Sequence, residues 1–313
     1  MKQDRWVVAS GTEVPEGARL HLLERPDGAR LRLALIPTEA PRGVVVVSTG
    51  WNEFIEKYFE TAESLRARGF SVVLYDTRGQ GLSSRVIEDP ALSYIESFDT
   101  YAEDLAAVAE EARALAPGKP LLLMAHSMGG MVTLHALAIG AVDPAAVAVS
   151  SPMTRVLKPG VALSGARFLA SALCALGLGA KGIPGRSPHA PIFDDNPFTS
   201  DWARYDQFKA LQAAEPYCVL KSPTNAWLKA AIEAGEALKP RLALVETPIL
   251  VVSASGETVV DGSDHEGVAA AAPNADYVLI DGARHEILVE ADVYRDQFWA
   301  AFDRLTARAL PVN

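Results

Sequence analysis

Leu121-Leu-Leu-Met-Ala-His-Ser-Met-Gly-Gly130 opens on an unbroken apolar run, passes through small-x-Ser-x-Gly, and continues into helical residues Met131 to Leu137. A short aliphatic run of this kind reads as a strand covered on both faces. Feeding it directly into a helix forces a sharp turn that holds Ser127 in a strained backbone conformation with its hydroxyl exposed, the arrangement known as a nucleophile elbow. The two elements pass closely only if the residues two before and two after the serine are small. Ala125 and Gly129 meet that condition, although the generic pattern has glycine at the first position.

Outward from this turn, short aliphatic runs alternate with segments of helical period, the pattern of an α/β fold with a mostly parallel sheet and helices on both faces. Strands are expected at Val44 to Ser48, Ser71 to Tyr75, Leu121 to Ala125, Ala145 to Val149, Ile249 to Ser253 and Tyr277 to Ile280, preceded by an antiparallel hairpin of Leu20 to Leu23 and Leu31 to Ile36. Between them, Ile55, Tyr58, Phe59, Ala62 and Leu65, then Phe98, Tyr101, Leu105, Val108 and Leu115, recur at helical spacing, as do Tyr294, Phe298, Phe302 and Leu305. Thr100 and Glu103 are placed for a capping box at the start of the second helix. The alternation stops after Ser151 and resumes at Pro248, and the interval carries Trp202, Tyr205, Phe208, Tyr217 and Trp227 in helical segments. It reads as a helical cap at 152–241 inserted into a core formed by 1–151 and 242–313.

A serine nucleophile needs an imidazole base, and in this chain order the base follows the acid, in the C-terminal third. His265 and His285 qualify. His265 stands at a helix start, Ser263-Asp-His-Glu, whereas His285 follows the last strand across Asp281-Gly-Ala-Arg and is preferred. His21, His126, His135, His189 and His265 are read as ordinary hydrogen-bonded histidines. The acid that fixes the imidazole tautomer belongs to the loop after Ile249 to Ser253, where Glu257, Asp261 and Asp264 compete; Glu257 is nearest the strand end, and Asp261 serves equally well as a helix cap. For the oxyanion, the donors are the amides of Met128, after the nucleophile, and Trp51, in Ser48-Thr-Gly-Trp-Asn-Glu53, where Gly50 permits close backbone approach. Gly50, the Trp51 indole and Trp227 are candidate substrate contacts. Arg78 and Asp76, in Asp76-Thr-Arg-Gly-Gln-Gly81, are placed to pair across adjacent loops.

Composition narrows the function further. The 313 residues are 49% hydrophobic and 22% charged, an ordinary globular balance, and the net charge of −10 disfavours nucleic acid. Cys174 and Cys218 lie in no metal or redox spacing, and no dinucleotide or phosphate-loop signature appears, so no cofactor and no metal are expected. The N-terminus has no signal-like apolar region, and Phe168 to Ala180 is too short to span a bilayer. A cytoplasmic protein is expected. The Phe168 to Ala180 segment is read as a cap helix packed internally, with contact on a membrane surface through the cap as the alternative.

Four blocks together resemble the α/β-hydrolases of the monoacylglycerol lipase, bacterial lysophospholipase and serine aminopeptidase branch: Gly50-Trp-Asn-Glu53 with Tyr58, Asp76-Thr-Arg-Gly-Gln-Gly81, His126-Ser-Met-Gly-Gly130, and Gly282-Ala-Arg-His-Glu-Ile-Leu288. Asn196-Pro-Phe-Thr with Arg204-Tyr205, and Ser222-Pro-Thr with Trp227, are most similar to the bacterial lysophospholipases. In that family the acid precedes a Val-Val-Asp run. Matching Val259-Val260-Asp261 to it implies Glu257. The chain departs from the family in Ser48-Thr49, where a histidine usually precedes the glycine, and in Ala125. The resemblance implies a serine hydrolase of small-molecule or lipid esters; an aminopeptidase or amidase, with Asp194, Asp195 or Asp201 receiving an amine, and a non-catalytic ligand binder are the alternatives.

Overall fold

All the aliphatic runs lie in one eight-stranded sheet in the computed structural model, which describes residues 3–157, 161–184 and 192–310. The strands are β1 (Arg19–Glu24), β2 (Arg30–Ile36), β3 (Gly43–Ser48), β4 (Phe70–Tyr75), β6 (Leu121–His126), β7 (Ala146–Ser150), β9 (Ile249–Ala254) and β10 (Ala275–Ile280). Their order is β1-β2-β4-β3-β6-β7-β9-β10. β1 and β2 form the antiparallel hairpin, β2 runs antiparallel to β4, and every later pairing is parallel. A separate parallel pair, β5 (Leu92–Ser93) and β8 (Ser222–Pro223), ties the cap interval to the core.

The strand period of two decides which helix each residue meets. Val44 and Val46 of β3, with Leu121 and Leu123 of β6, pack under α2 (Phe98–Leu115), α3 (Met128–Ala138), α6 (Asn225–Leu242) and α7 (His265–Ala271). Val45, Val47, Leu122 and Met124 face the other way, onto α1 (Phe59–Arg66) and α8 (Asp292–Ala309). Because both faces are covered, the central strands are aliphatic throughout rather than alternating. The cap interval supplies α4 (Leu163–Ala175), α5 (Trp202–Ala214) and α6 between β7 and β9.

Three readings of the sequence are corrected. α2 begins at Phe98 with Ser97 as its N-cap, accepting from the Asp99 amide at 3.1 Å, so Thr100 and Glu103 lie inside the helix. Arg78 does not pair with Asp76: it bonds Asp104 at 2.7 and 2.8 Å and also meets Asp27. And α4 is not packed internally. Ala170 is its buried residue, while Phe168 is 76% and Leu169 60% exposed, with Leu176 just beyond the helix at 74%.

Asp76 belongs instead to a fully buried ionic group. Arg32 on β2 donates from Nε to Asp76 at 2.7 Å and, in a two-pronged pair, to Glu56 at 2.9 and 2.8 Å. Asp76 also accepts the Ile55 and Leu82 amides, so one guanidinium ties the sheet to the loops after β3 and β4. Removing the cation strands two carboxylates in the interior. Arg32→Met is therefore expected to destabilise the protein by about 3–5 kcal/mol, read as a lower urea midpoint at unchanged m.

Candidate active site

The turn between β6 and α3 places Ser127 at the N-cap with φ 50° and ψ −115°, left-handed backbone that costs on the order of 1–3 kcal/mol for a residue with a β-carbon. The surroundings enforce it: the Ser127 amide donates to Ser150 O at 3.0 Å, and its carbonyl accepts from Met153 at 2.9 Å. A β-carbon on Gly129 would stand 2.3 Å from Ser48 O and 2.6 Å from Thr49 O. Only glycine lets α3 pass the end of β3, while Ala125 fits fully buried between Ser48 and Val149.

Ser127 Oγ lies 3.0 Å from His285 Nε2, and Glu257 lies 2.5 Å from His285 Nδ1. Glu257 uses one oxygen on the imidazole and the other to accept the Val259 and Val260 amides at 2.7 and 3.1 Å. Burial works to raise its pKa, but the imidazole bond and these amides prevail and hold it down at about 2. Asp261 points away: it caps the turn at Gly262–Asp264 through Ser263 and meets Arg155 at 3.2 Å. Asp264 bonds Lys239 and Thr154. His265 is spent on Ser253 Oγ and Pro152 O, both at 2.8 Å. His21 stands 3.8 Å from Glu111 and His135 bonds Asp99, while His189 lies outside the described residues.

Met128 opens α3, where helix geometry leaves an amide without an intrahelical acceptor. On the facing loop, Gly50 N donates to Glu53 at 2.5 Å and Asn52 N to Gln80 at 2.6 Å. Between them the Trp51 amide has no acceptor among the described residues. Its indole donates to Ser93 Oγ at 2.6 Å. Gly50 itself sits behind the loop, where Glu53 Oε2 fills the place of a β-carbon at 2.6 Å. Trp51 and Trp227 both line a cavity of about 780 Å³ that opens at Ser127 and His285.

Sequence reading missed the buried group behind this loop. Glu53 accepts from Lys57 Nζ at 2.5 Å and Tyr58 OH at 2.6 Å, and Lys57 also reaches Glu286 at 2.7 Å. Burial opposes both charges, yet Glu286 and Glu53 together raise Lys57, and Lys57 in turn lowers Glu53. The i, i+4 spacing of Glu53 and Lys57 was the available signal. Ligand atoms of Glu53, His126 and Glu286 lie within 4.8 Å of one another, and the Lys57 ammonium takes the cation position among them. His126, read as an ordinary histidine, lines the cavity with its ring 4.7 Å from that of His285. Burial pushes its pKa down to about 3, so it stays neutral.

The cap interval also seats the His285 loop. His285 N and Glu286 N donate to Pro197 O and Phe198 O at 3.3 and 2.8 Å, and Arg284 donates to Asn196 O and Thr199 O at 3.0 Å. Asn196 is buried and accepts the Phe198 and Thr199 amides, which fixes the segment it starts. Among the three acids considered for an amine, Asp201 caps α5 and pairs with Arg204, while Asp194 and Asp195 are exposed; none lines the cavity.

A family model described as serine aminopeptidase, S33 matches residues 39–292. The chain is 30% identical over 275 residues to lysophospholipase L2 of Escherichia coli K12, covering 80% of this chain and 76% of that protein. It is 28% identical over 260 residues to probable lysophospholipase L2 of Haemophilus influenzae, covering 83% and 82%. Its fold is similar to that of a soluble variant of monoglyceride lipase from Saccharomyces cerevisiae, with a TM-score of 0.72 at 20% identity over 96% of this chain and 98% of that one. Among the described residues no helix is long and apolar enough to cross a membrane.

Proposed function

The chain belongs to the serine aminopeptidase S33 family, and from that membership and the site geometry we propose that it is a serine carboxylic-ester hydrolase of the lysophospholipase or monoacylglycerol lipase type. What carries the reading is one hydrogen-bonded relay, Glu257 to His285 at 2.5 Å and His285 to Ser127 at 3.0 Å, opening onto a cavity walled largely by apolar side chains. The names of the lysophospholipase and monoglyceride lipase relatives support the substrate type.

Ser127 Oγ attacks the ester carbonyl while His285 Nε2 takes its proton, and Glu257 holds the ring in the tautomer that leaves Nε2 free to accept. The Met128 and Trp51 amides receive the negative charge that develops on the carbonyl oxygen. Collapse expels the alcohol, protonated by His285, and leaves an acyl-serine; a water molecule activated by the same imidazole releases the carboxylic acid. Within residues 152–241, α4, α5 and the 219–221 segment act as the cap over this slot, while α6 packs on the sheet. The apolar side chains exposed on and beside α4, Phe168, Leu169 and Leu176, support a cap that rests on aggregated lipid.

The ester reading is favoured over the aminopeptidase alternative by the cavity's carboxylates. Glu53 and Glu286 are both bonded to Lys57, which leaves no unpaired acid among the described lining residues for a substrate ammonium. Purified protein is expected to hydrolyse a monoacylglycerol or lysophospholipid with kcat/KM at least about 100-fold above that for an aminoacyl anilide, the scale at which a pocket without a matching group discriminates. Preference for the anilide overturns the reading.

A further inference from the structure

Several elements contribute to the walls of the cavity. Beside Ser127, the segments after β7 and β9 and the start of α6 contribute Met153, Leu157, Val259 and Trp227, a purely apolar arm. α5 and the 219–221 segment before β8 also line the cavity, through Phe208, Val219 and Leu220 and through two lysines, the half-buried Lys209 and the exposed Lys221. Lys209 is half-buried, and the one hydrogen bond of its ammonium among the described residues is to Gln212 Oε1 at 3.2 Å. Lys221 is anchored by its backbone amide on Ala91 O, and its ammonium has no carboxylate among the described residues.

This is an unusual placement in a chain with 39 acidic residues and a net charge of −10. The cations nearby are otherwise neutralised: Arg204, on the same helix and lining the same cavity, meets Glu60, Asp201 and Asp292, and Lys57 lies between Glu53 and Glu286. Lys209 instead loses solvation with no opposing charge, and burial alone shifts its pKa down. Partial desolvation of an unpaired ammonium costs stability unless something outside the chain supplies the counter-charge. A bound anion beside the ester is what the arrangement lacks.

Resting on the ester-hydrolase reading above, we propose that Lys209 and Lys221 form a headgroup subsite that selects esters whose leaving alcohol carries a net negative phosphate. In this arrangement the acyl chain lies along Met153, Leu157, Val259 and Trp227, and the alcohol leaves toward Lys209 and Lys221. An ammonium pair binds a phosphate there as point charges, with little demand on geometry. A neutral glycerol gains nothing from either lysine, and a zwitterionic headgroup brings an ammonium that the lysines repel.

The test compares short-chain substrates of one acyl length, kept monomeric so that interfacial charge plays no part: 1-octanoyl lysophosphatidylglycerol, 1-octanoyl lysophosphatidylcholine and 1-octanoyl glycerol. The parent is expected to favour the anionic substrate, with kcat/KM roughly tenfold or more above the other two, since one such contact is worth about a factor of ten. A Lys209→Gln/Lys221→Gln double variant is expected to bring that ratio to about one, through KM rather than kcat, with Lys209→Arg/Lys221→Arg restoring it. Retained preference in the glutamine variant, or an initial preference for the neutral or zwitterionic ester, overturns the subsite while leaving the ester reading intact. A parent inert toward all three esters overturns both.

Discussion

Ser127→Ala is expected to lower kcat on a short-chain p-nitrophenyl ester by roughly 10⁶, the scale at which a serine nucleophile and its base fail as a unit. The hydroxyl is the one group 3.0 Å from His285 Nε2 that can form a bond to a carbonyl carbon, and the methyl group of alanine leaves the imidazole with nothing to deprotonate. The substitution is a clean one structurally. Alanine keeps the β-carbon, so the backbone at φ 50° is no more strained than before, and the pinning bonds from Ser127 N to Ser150 O and from Met153 N to Ser127 O involve no side-chain atom. Thermal stability should stay within about 1 kcal/mol of the parent, and a fluorophosphonate probe that labels the parent should leave the variant unlabelled. Turnover within tenfold of the parent would mean that another group carries the chemistry.

The fold was legible because the central strands are buried on both faces. Val44 to Val47 and Leu121 to Met124 are aliphatic at every position, over runs too short to be buried helices. The elbow was legible for a related reason: Gly129 faces Ser48 and Thr49 carbonyls at distances no β-carbon tolerates, so the constraint is written in residue size. Local polar choices were harder to read. Ser97 and Thr100 are both competent caps, and the chain enters α2 at whichever one the preceding loop delivers to the sheet. Arg78 finds Asp104 and Asp27 rather than Asp76 because Asp76 is already held by Arg32, a partner 44 residues away in sequence.

The buried charges next to the site show the same limit. Glu53 and Lys57 are separated by one helical turn, an ordinary surface spacing, and only the tertiary fold turns them into an interior pair by adding Glu286 and Tyr58. Lys209 and Lys221 carried no pattern at all. Their meaning depends on which carboxylates are absent around them, and that is a property of the packed cavity rather than of the chain. α4 misled for the converse reason: an apolar helix signals burial only when neighbours surround it, and α4 packs on α6 while Phe168 and Leu169 stay exposed.

The acid is settled by a pair of variants. Glu257→Gln is expected to cost roughly 10⁴ in kcat, while Asp261→Asn leaves kcat within a factor of a few. A carboxylate accepts at both oxygens, and Glu257 needs both: Oε2 takes the imidazole Nδ1–H at 2.5 Å while Oε1 takes the Val259 and Val260 amides. Glutamine cannot do this. If its oxygen stays on the two amides, its NH₂ faces Nδ1 and forces the tautomer with the proton on Nε2, which then points a hydrogen at Ser127 Oγ instead of a lone pair. If it flips, NH₂ faces two N–H groups and the loop is pushed apart. In the first case the base is lost, and in the second its oxygen still accepts Nδ1–H but the loop that positions it is displaced, at unchanged volume in both. Asp261 has no such position, since its oxygens serve Ser263 and Arg155, and its substitution should appear as a loss of about 1 kcal/mol in stability from a weakened cap and ion pair. Should Asp261→Asn prove the slower enzyme, the loop must rearrange on binding substrate, and the proton relay would run through a different carboxylate.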